Sequence, residues 1–231
     1  MEEMMTQFCT SPCIEKEISA EFKTSSVRAI GKDVDLSLLI TNLTTDSKTI
    51  KVDIRACSVL YTRKELHELL KESREIHLES CEVKKEPVII TYAQYEDLMS
   101  ADNAIEVTAA CSSEPSNGTV IVQTNIVLEN PKFEIQLKGE AYLNKPVDVE
   151  IVFANPFSKD VSDIVVTAEG SGLIKDPVTI RACTVNPNET ITIPLTVTPY
   201  KAGKKYLLVD FTSNKFQNAK GYLEIEVHEN E

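Results

Sequence analysis

From Val34 to Thr41 the chain alternates: Val34, Leu36, Leu38 and Ile40 fall on one face, Asp35, Ser37, Leu39 and Thr41 on the other. Val147, Val149, Ile151 and Phe153 alternate in the same way with Asp148, Glu150, Val152 and Ala154. Period-two patterning rich in β-branched residues predicts a strand with one face on a core. The pattern recurs at "KTIKVDIRACSVL", "GTVIVQTNIVLE", "ETITIPLTVTP", "KKYLLVDFTS" and "GYLEIEVHE". Turn-forming runs separate these segments, among them "NPFSKD", "EPSNGT", "VNPNET" and "YKAGKK". Short strands at this spacing, without long helices between them, predict an all-β protein of antiparallel, immunoglobulin-like sandwiches.

The chain also repeats itself. "GKDVDLSLLITNLT" begins at Gly31 and "NKPVDVEIVFANPF" at Asn144, and Lys32, Val34, Asp35 and Asn42 recur 113 positions later as Lys145, Val147, Asp148 and Asn155. Two copies in 231 residues fit two domains of ordinary size. The boundary falls at "LENPKFEI", where Asn130-Pro131 disfavours a continuous regular element. "FEIQLKG" then restarts the pattern of "ISAEFKT". The predicted organisation is one sandwich over 17–129 and a second over 131–231, preceded by an aperiodic linker over 1–16. One segment departs from the strand pattern. In "TRKELHELLKESREIHL", Thr62 and Glu65 fit a capping box, and Leu66, Leu69 and Leu70 form an apolar stripe. A short helix or helical turn is expected over 62–73, with a hairpin loop as the alternative.

Composition narrows the classes of function. Hydrophobic residues make up 42% and charged residues 26%, ordinary for a globular protein, and no apolar run nears the ~20 residues that span a bilayer. The start, "MEEMMTQFCTSPC", lacks the basic and apolar regions of a signal peptide, so a cytoplasmic location is expected, with unconventional export left open. A net charge of −12 repels phosphate backbones and anionic lipid, so neither nucleic acid nor membrane insertion is expected. Six cysteines are too few for a disulfide scaffold of this length and suit free thiols in a reducing compartment. The sequons at Asn42, Asn117 and Asn188 then read as chance tripeptides.

Residues for catalysis are sparse. His67, His77 and His228 are the only histidines. Cys57 sits within a strand pattern and reads as a small buried thiol. Cys183 shares the "RAC" of Cys57 but lies 126 positions away, from 57 to 183, so the two are not repeat-equivalent. Cys9 and Cys13 make half a metal site, with no second ligand pair. "EGSG" at Glu169–Gly172 is a turn without the helix that a phosphate loop needs. No catalytic, cofactor-binding or metal-binding residue is assigned.

Several phrases together carry a family resemblance: "DVDLSLLITN", "RACSVLYT", "IVLENPKFEI", "VEIVFANPFSKDVSDIVVTAEGSGL" and "LLVDFTSNKFQNAKGY". From about Ile14 to Val227 the chain resembles the two C-terminal β-barrel, immunoglobulin-like domains of animal transglutaminases. The resemblance implies a parent that forms glutamine–lysine isopeptide cross-links with a calcium-dependent Cys-His-Asp core. That core would lie upstream of Met1, and no residue here matches its triad, so neither catalysis nor a calcium site is expected from this chain. The opening "EEMMTQFCTSPCIEKEIS" resembles the linker that follows the core and suggests truncation. The implied role is regulatory and structural, with the catalytic core in cis, protein substrates or scaffold proteins as partners. In closed family members a first-barrel tyrosine faces the active site; here that tyrosine is Tyr61, whose alternative is a half-buried strand-end aromatic. An apolar or mixed patch is expected around it. Some members bind guanine nucleotide through arginines, whose positions correspond to Glu21, Lys23 and Glu96; two of these three are acidic, so no guanine nucleotide is expected. The alternatives are part of a non-catalytic structural member, comparable to the erythrocyte band 4.2 protein, or a stand-alone immunoglobulin-like binding module.

Overall fold

A computed structural model describes residues 17–24, 28–113 and 118–229; the linker expected over 1–16, with Cys9 and Cys13, and the sequon asparagine Asn117 lie outside them. The first half contains β1 (Ile18–Thr24), β2 (Val34–Asn42), β3 (Lys48–Val59), β4 (Glu65–Leu78), β5 (Val83–Ile90), a single helical turn α1 (Tyr92–Tyr95), β6 (Ala104–Ser113) and β7 (Thr119–Val127). The second half contains β8 (Glu134–Lys138), β9 (Ala141–Tyr142), β10 (Val147–Ala154), β11 (Val165–Glu169), β12 (Val178–Arg181), β13 (Thr190–Val197), β14 (Gly203–Thr212) and β15 (Ala219–His228). Sheet β1-β2-β5 faces sheet β4-β3-β6-β7, and sheet β13-β10-β8 faces sheet β12-β11-β14-β15-β9. The chain is two consecutive immunoglobulin-like sandwiches, and all strand pairs are antiparallel except β15 with β9.

The alternating residues are the core. Val34, Leu36, Leu38 and Ile40 are buried on β2, as are Val147, Val149, Ile151 and Phe153 on β10. The repeat extends to the partner strands. Ser37 pairs with Pro87 on β5, and Glu150 pairs with Pro194 on β13. Each proline lies on an edge strand. There its missing N–H breaks no ladder and hinders pairing with another chain. Cys57 lies on β3, whereas Cys183 follows β12, so the shared "RAC" falls on different strands.

One buried side chain has the same task in both copies. Asn42 Nδ2 donates to the carbonyls of Asp46 and Glu79 at 2.7 and 2.9 Å, while its Oδ1 accepts the Thr44 N–H at 3.0 Å. Asn155 Nδ2 donates to the carbonyls of Lys159, Val185 and Asn186 at 2.9, 3.0 and 3.0 Å, and its Oδ1 accepts the Phe157 N–H at 2.9 Å. Each amide ties the loop after the second long strand to the turn before the proline-bearing strand. Those turns match as well: the Glu79 N–H is bonded by Glu82 Oε2 at 2.7 Å and the Asn186 N–H by Glu189 Oε2 at 2.9 Å. The Asn42 sequon is therefore built into the interior, whereas Asn188 is exposed on its turn.

The helix expected over 62–73 is absent; β4 runs through most of that segment as a 14-residue strand. The reason is visible in the register. Leu70 pairs with Ala56 and Glu68 with Cys57, so Leu69 is passed over; His67 pairs with Ser58 and Glu65 with Val59, so Leu66 is passed over too. Two successive bulges remove Leu66 and Leu69 from the alternation. Their spacing with Leu70 imitates a helical stripe.

Replacing Asn42 or Asn155 by Ala strands several buried backbone groups, which is expected to cost about 3 kcal/mol in each copy. Urea denaturation checks this. A loss below about 1 kcal/mol in both variants would show that water replaces the amide without difficulty.

Candidate functional site at the junction of the sandwiches

The loop that Asn155 organises carries two residues into the junction, Phe157 and Lys159. Phe157 is 1% exposed and stacks on Tyr92 of the first sandwich, with ring centroids 6.0 Å apart and planes 16° from parallel. On its own side it meets Phe216 at 6.2 Å, which continues to Phe153 and Phe211. An aromatic chain thus runs from one core to the other. Gly31 makes room for it. Its φ is +90°, and a Cβ there would lie 2.5 Å from Phe157 Cδ1. The same turn is pinned by Tyr95, whose hydroxyl donates to the Lys32 carbonyl at 2.7 Å and accepts the Gly31 N–H at 3.1 Å. Burial pushes the Tyr95 hydroxyl up to about 12. Burial first, and the charge of Glu96 second, push Tyr92 up to about 12.

The other half of the junction is polar. Glu96 follows α1, with its side chain only 9% exposed, and forms an ion pair through Oε1 with Lys159. Lys215, from the β14–β15 hairpin, lies 3.8 Å from Glu96 Oε2 and 3.6 Å from Asp97 Oδ1. The hydrogen bond to Glu96 raises the pKa of Lys159. Beside this cluster is a polar cleft of about 200 Å³, lined by Asp97, Ser100, Asn103, Ser213, Lys215 and Gln217 among others. At the connector, Asn103 Nδ2 donates to Asn130 Oδ1 at 2.7 Å, and Asn130 Nδ2 donates to the Gln217 carbonyl at 2.9 Å.

Of the residues weighed in the sequence for a ligand or a core contact, Glu96 lies at this junction. Glu21 and Lys23 lie on β1 and pair with each other at 3.3 Å, both more than half exposed. Tyr61 stands at the tip of the β3–β4 hairpin and is 84% exposed, not half-buried. Its N–H is held by Asp102 Oδ2 at 2.9 Å, and the neighbouring Leu66 is 39% exposed, set among the exposed Arg63, Lys64 and Glu65. Cys57 is buried, with its thiol pKa raised by burial. All three histidines are exposed, on β4 and β15. Among the described residues no group of three or more His, Cys, Asp or Glu side chains could hold a metal ion. None of the described helices is long and apolar enough to cross a membrane. The junction residues Gly31, Tyr92, Phe157 and Lys215 escaped the sequence reading. Phe157 alone carried a signal: it stands where the first copy has Thr44, directly after the shared asparagine turn.

Two immunoglobulin-like sandwiches of like strand order, joined through a buried aromatic and charged junction, define a tandem β-sandwich protein. The family model for the "Transglutaminase family, C-terminal ig like domain" matches residues 18–113 and again residues 131–229. The chain belongs to this transglutaminase C-terminal domain family. It is 37% identical over 215 residues to protein-glutamine gamma-glutamyltransferase E of Mus musculus, covering 93% of this chain and 31% of that protein. It is 31% identical over 211 residues to protein-glutamine gamma-glutamyltransferase 5 of Homo sapiens, covering 91% of this chain and 29% of that protein. The chain therefore spans less than a third of the length of these relatives. The crystal structure of red sea bream transglutaminase shares the fold, with a TM-score of 0.81 and 24% identity over 93% of this chain and 32% of that one.

Gly31→Ala is expected to destabilise the protein by about 2 kcal/mol, through the strained φ and the collision with Phe157. In the double variant with Phe157→Ala the collision is absent, so the two losses should sum to more than the measured total. Strict additivity in urea melts contradicts the wedge. Raised tyrosine pKa values also set a pH response. A group with a raised folded pKa contributes fully below its unfolded value, near 10 for tyrosine, and that contribution is lost as pH rises through about 12. The urea midpoint should therefore fall from pH 9 to pH 11, and Tyr95→Phe should flatten part of the slope. Equal slopes in both proteins rule out a contribution from Tyr95.

Proposed function

We propose that this chain is the regulatory and structural C-terminal pair of a protein-glutamine gamma-glutamyltransferase, docking on a catalytic core in cis and having no activity by itself. The observation that carries the reading is the match of the family model to both sandwiches, residues 18–113 and 131–229. On this reading residues 17–129 and 131–231 are the two folding units. The parent forms glutamine–lysine cross-links, its calcium sites belong to the core, and the protein works in the cytoplasm on protein substrates or scaffold proteins. Nucleic acid and membrane insertion play no part.

Tyr61 is the contact proposed to face the core. Its ring projects from a hairpin tip while Asp102 holds its backbone, an arrangement suited to insertion into a cleft of another domain. Guanine nucleotide is not a ligand on this reading. Glu96 already neutralises two lysines, and Glu21 and Lys23 neutralise each other.

The test is amine incorporation into a glutamine-bearing protein, with calcium. The 231-residue chain alone should show none. In the protein that carries the core, Tyr61→Ala should raise activity at limiting calcium about fivefold, the effect of removing a closing contact worth about 1 kcal/mol. Unchanged activity removes Tyr61 from the mechanism. A core-bearing protein inactive at saturating calcium points instead to the non-catalytic structural reading. Calorimetric titration with GDP should give no heat of binding.

A further inference from the structure

The two sandwiches share one short connector, and a pair of units joined in this way swings about the connector unless other contacts hold it. Three sets of contacts do so, and one of them, the Asn103–Asn130–Gln217 amide chain, runs through the connector itself. Phe157 supplies the apolar hold. Glu96 supplies the third, and its setting is unusual. Its Oε2 is buried without a hydrogen bond, and Lys215 Nζ stands 3.8 Å from it with its own side chain only 10% exposed. Its Oε1 takes Lys159. A carboxylate this buried is tolerated through the attraction of its lysines, and losing either partner leaves an uncompensated charge in the interface. Both lysines come from the second sandwich, one from the β10–β11 loop and one from the β14–β15 hairpin. The carboxylate comes from the first.

We propose that Glu96, Lys159 and Lys215 form an electrostatic lock that fixes the angle between the two sandwiches, and that loss of either lysine's charge releases the second sandwich to swing about residues 130–132, the stretch after the backbone pairing of Leu128 and Glu129 to the first sandwich. The polar cleft beside the lock has room for water as the junction opens. The proposal concerns the chain by itself and stands or falls independently of any catalytic core.

Cys81 on the first sandwich and Cys183 on the second are both exposed, whereas Cys57 and Cys111 are buried. With Cys9 and Cys13 changed to Ser, spin labels on Cys81 and Cys183 report the inter-sandwich distance by pulsed dipolar spectroscopy. The unaltered junction should give one narrow distribution. Glu96→Lys should broaden it at least twofold, and combining Glu96→Lys with Lys159→Glu and Lys215→Glu should restore the narrow form. Lys159→Ala, at a half-exposed lysine, should broaden it as well and serves if Glu96→Lys fails to fold. A broad distribution in the parent, an unchanged width in Glu96→Lys or in Lys159→Ala, or no narrowing in the charge-swapped protein overturns the lock.

Discussion

The junction depends on the buried amide of Asn155. Its three donated bonds and one accepted bond hold a loop of five residues, and that loop delivers both Phe157 and Lys159. An unpaired amide in this position would carry the full penalty of desolvation, so the loop has little freedom to rearrange. The ring therefore arrives at Gly31 and Tyr92 already oriented, and the ammonium arrives at Glu96. Asn42 makes the same kind of turn in the first copy, but delivers Thr44 and Asp46 to a solvent-facing corner. One local solution was kept in both copies. In the second, the residues it presents became an interface.

The duplication was legible because strand alternation and the asparagine turn are local properties. Val34 to Ile40 and Val147 to Phe153 announced the core directly. Segment 62–73 was misread for a physical reason. Bulges at Leu66 and Leu69 shift the pattern from period two to a helical spacing, and a bulge is set by the partner strand, which the segment's own residues do not describe. The junction was hidden for a similar reason. Nothing local to Gly31 says that a ring 126 positions further along, at 157, will lie against it. Glu96 was noticed for its charge, but its two lysines become neighbours only when the second sandwich folds. The alternative reading of Tyr61 as a half-buried strand-end aromatic failed because the strand ends at Val59 and the tyrosine falls in the turn beyond.

The parts of the molecule separate by task. Each sandwich buries the alternating face of its own strands, and the two buried faces meet through Phe157 and Tyr92. The junction converts two stable units into one shape, by an apolar wedge that is indifferent to salt and an ionic cluster sensitive to any change of charge. The Tyr61 hairpin stands apart from both, its turn closed by its own backbone hydrogen bonds and tied to the α1–β6 segment where Asp102 Oδ2 accepts the Tyr61 N–H.

Residual dipolar couplings from the isotopically labelled protein, measured in one aligning medium and fitted separately for each sandwich, test this account most directly. A rigid junction predicts one alignment tensor, equal in magnitude and orientation for both sandwiches. Two tensors of different magnitude would mean that the sandwiches tumble apart, and that the wedge and the ionic cluster do not hold them as one body.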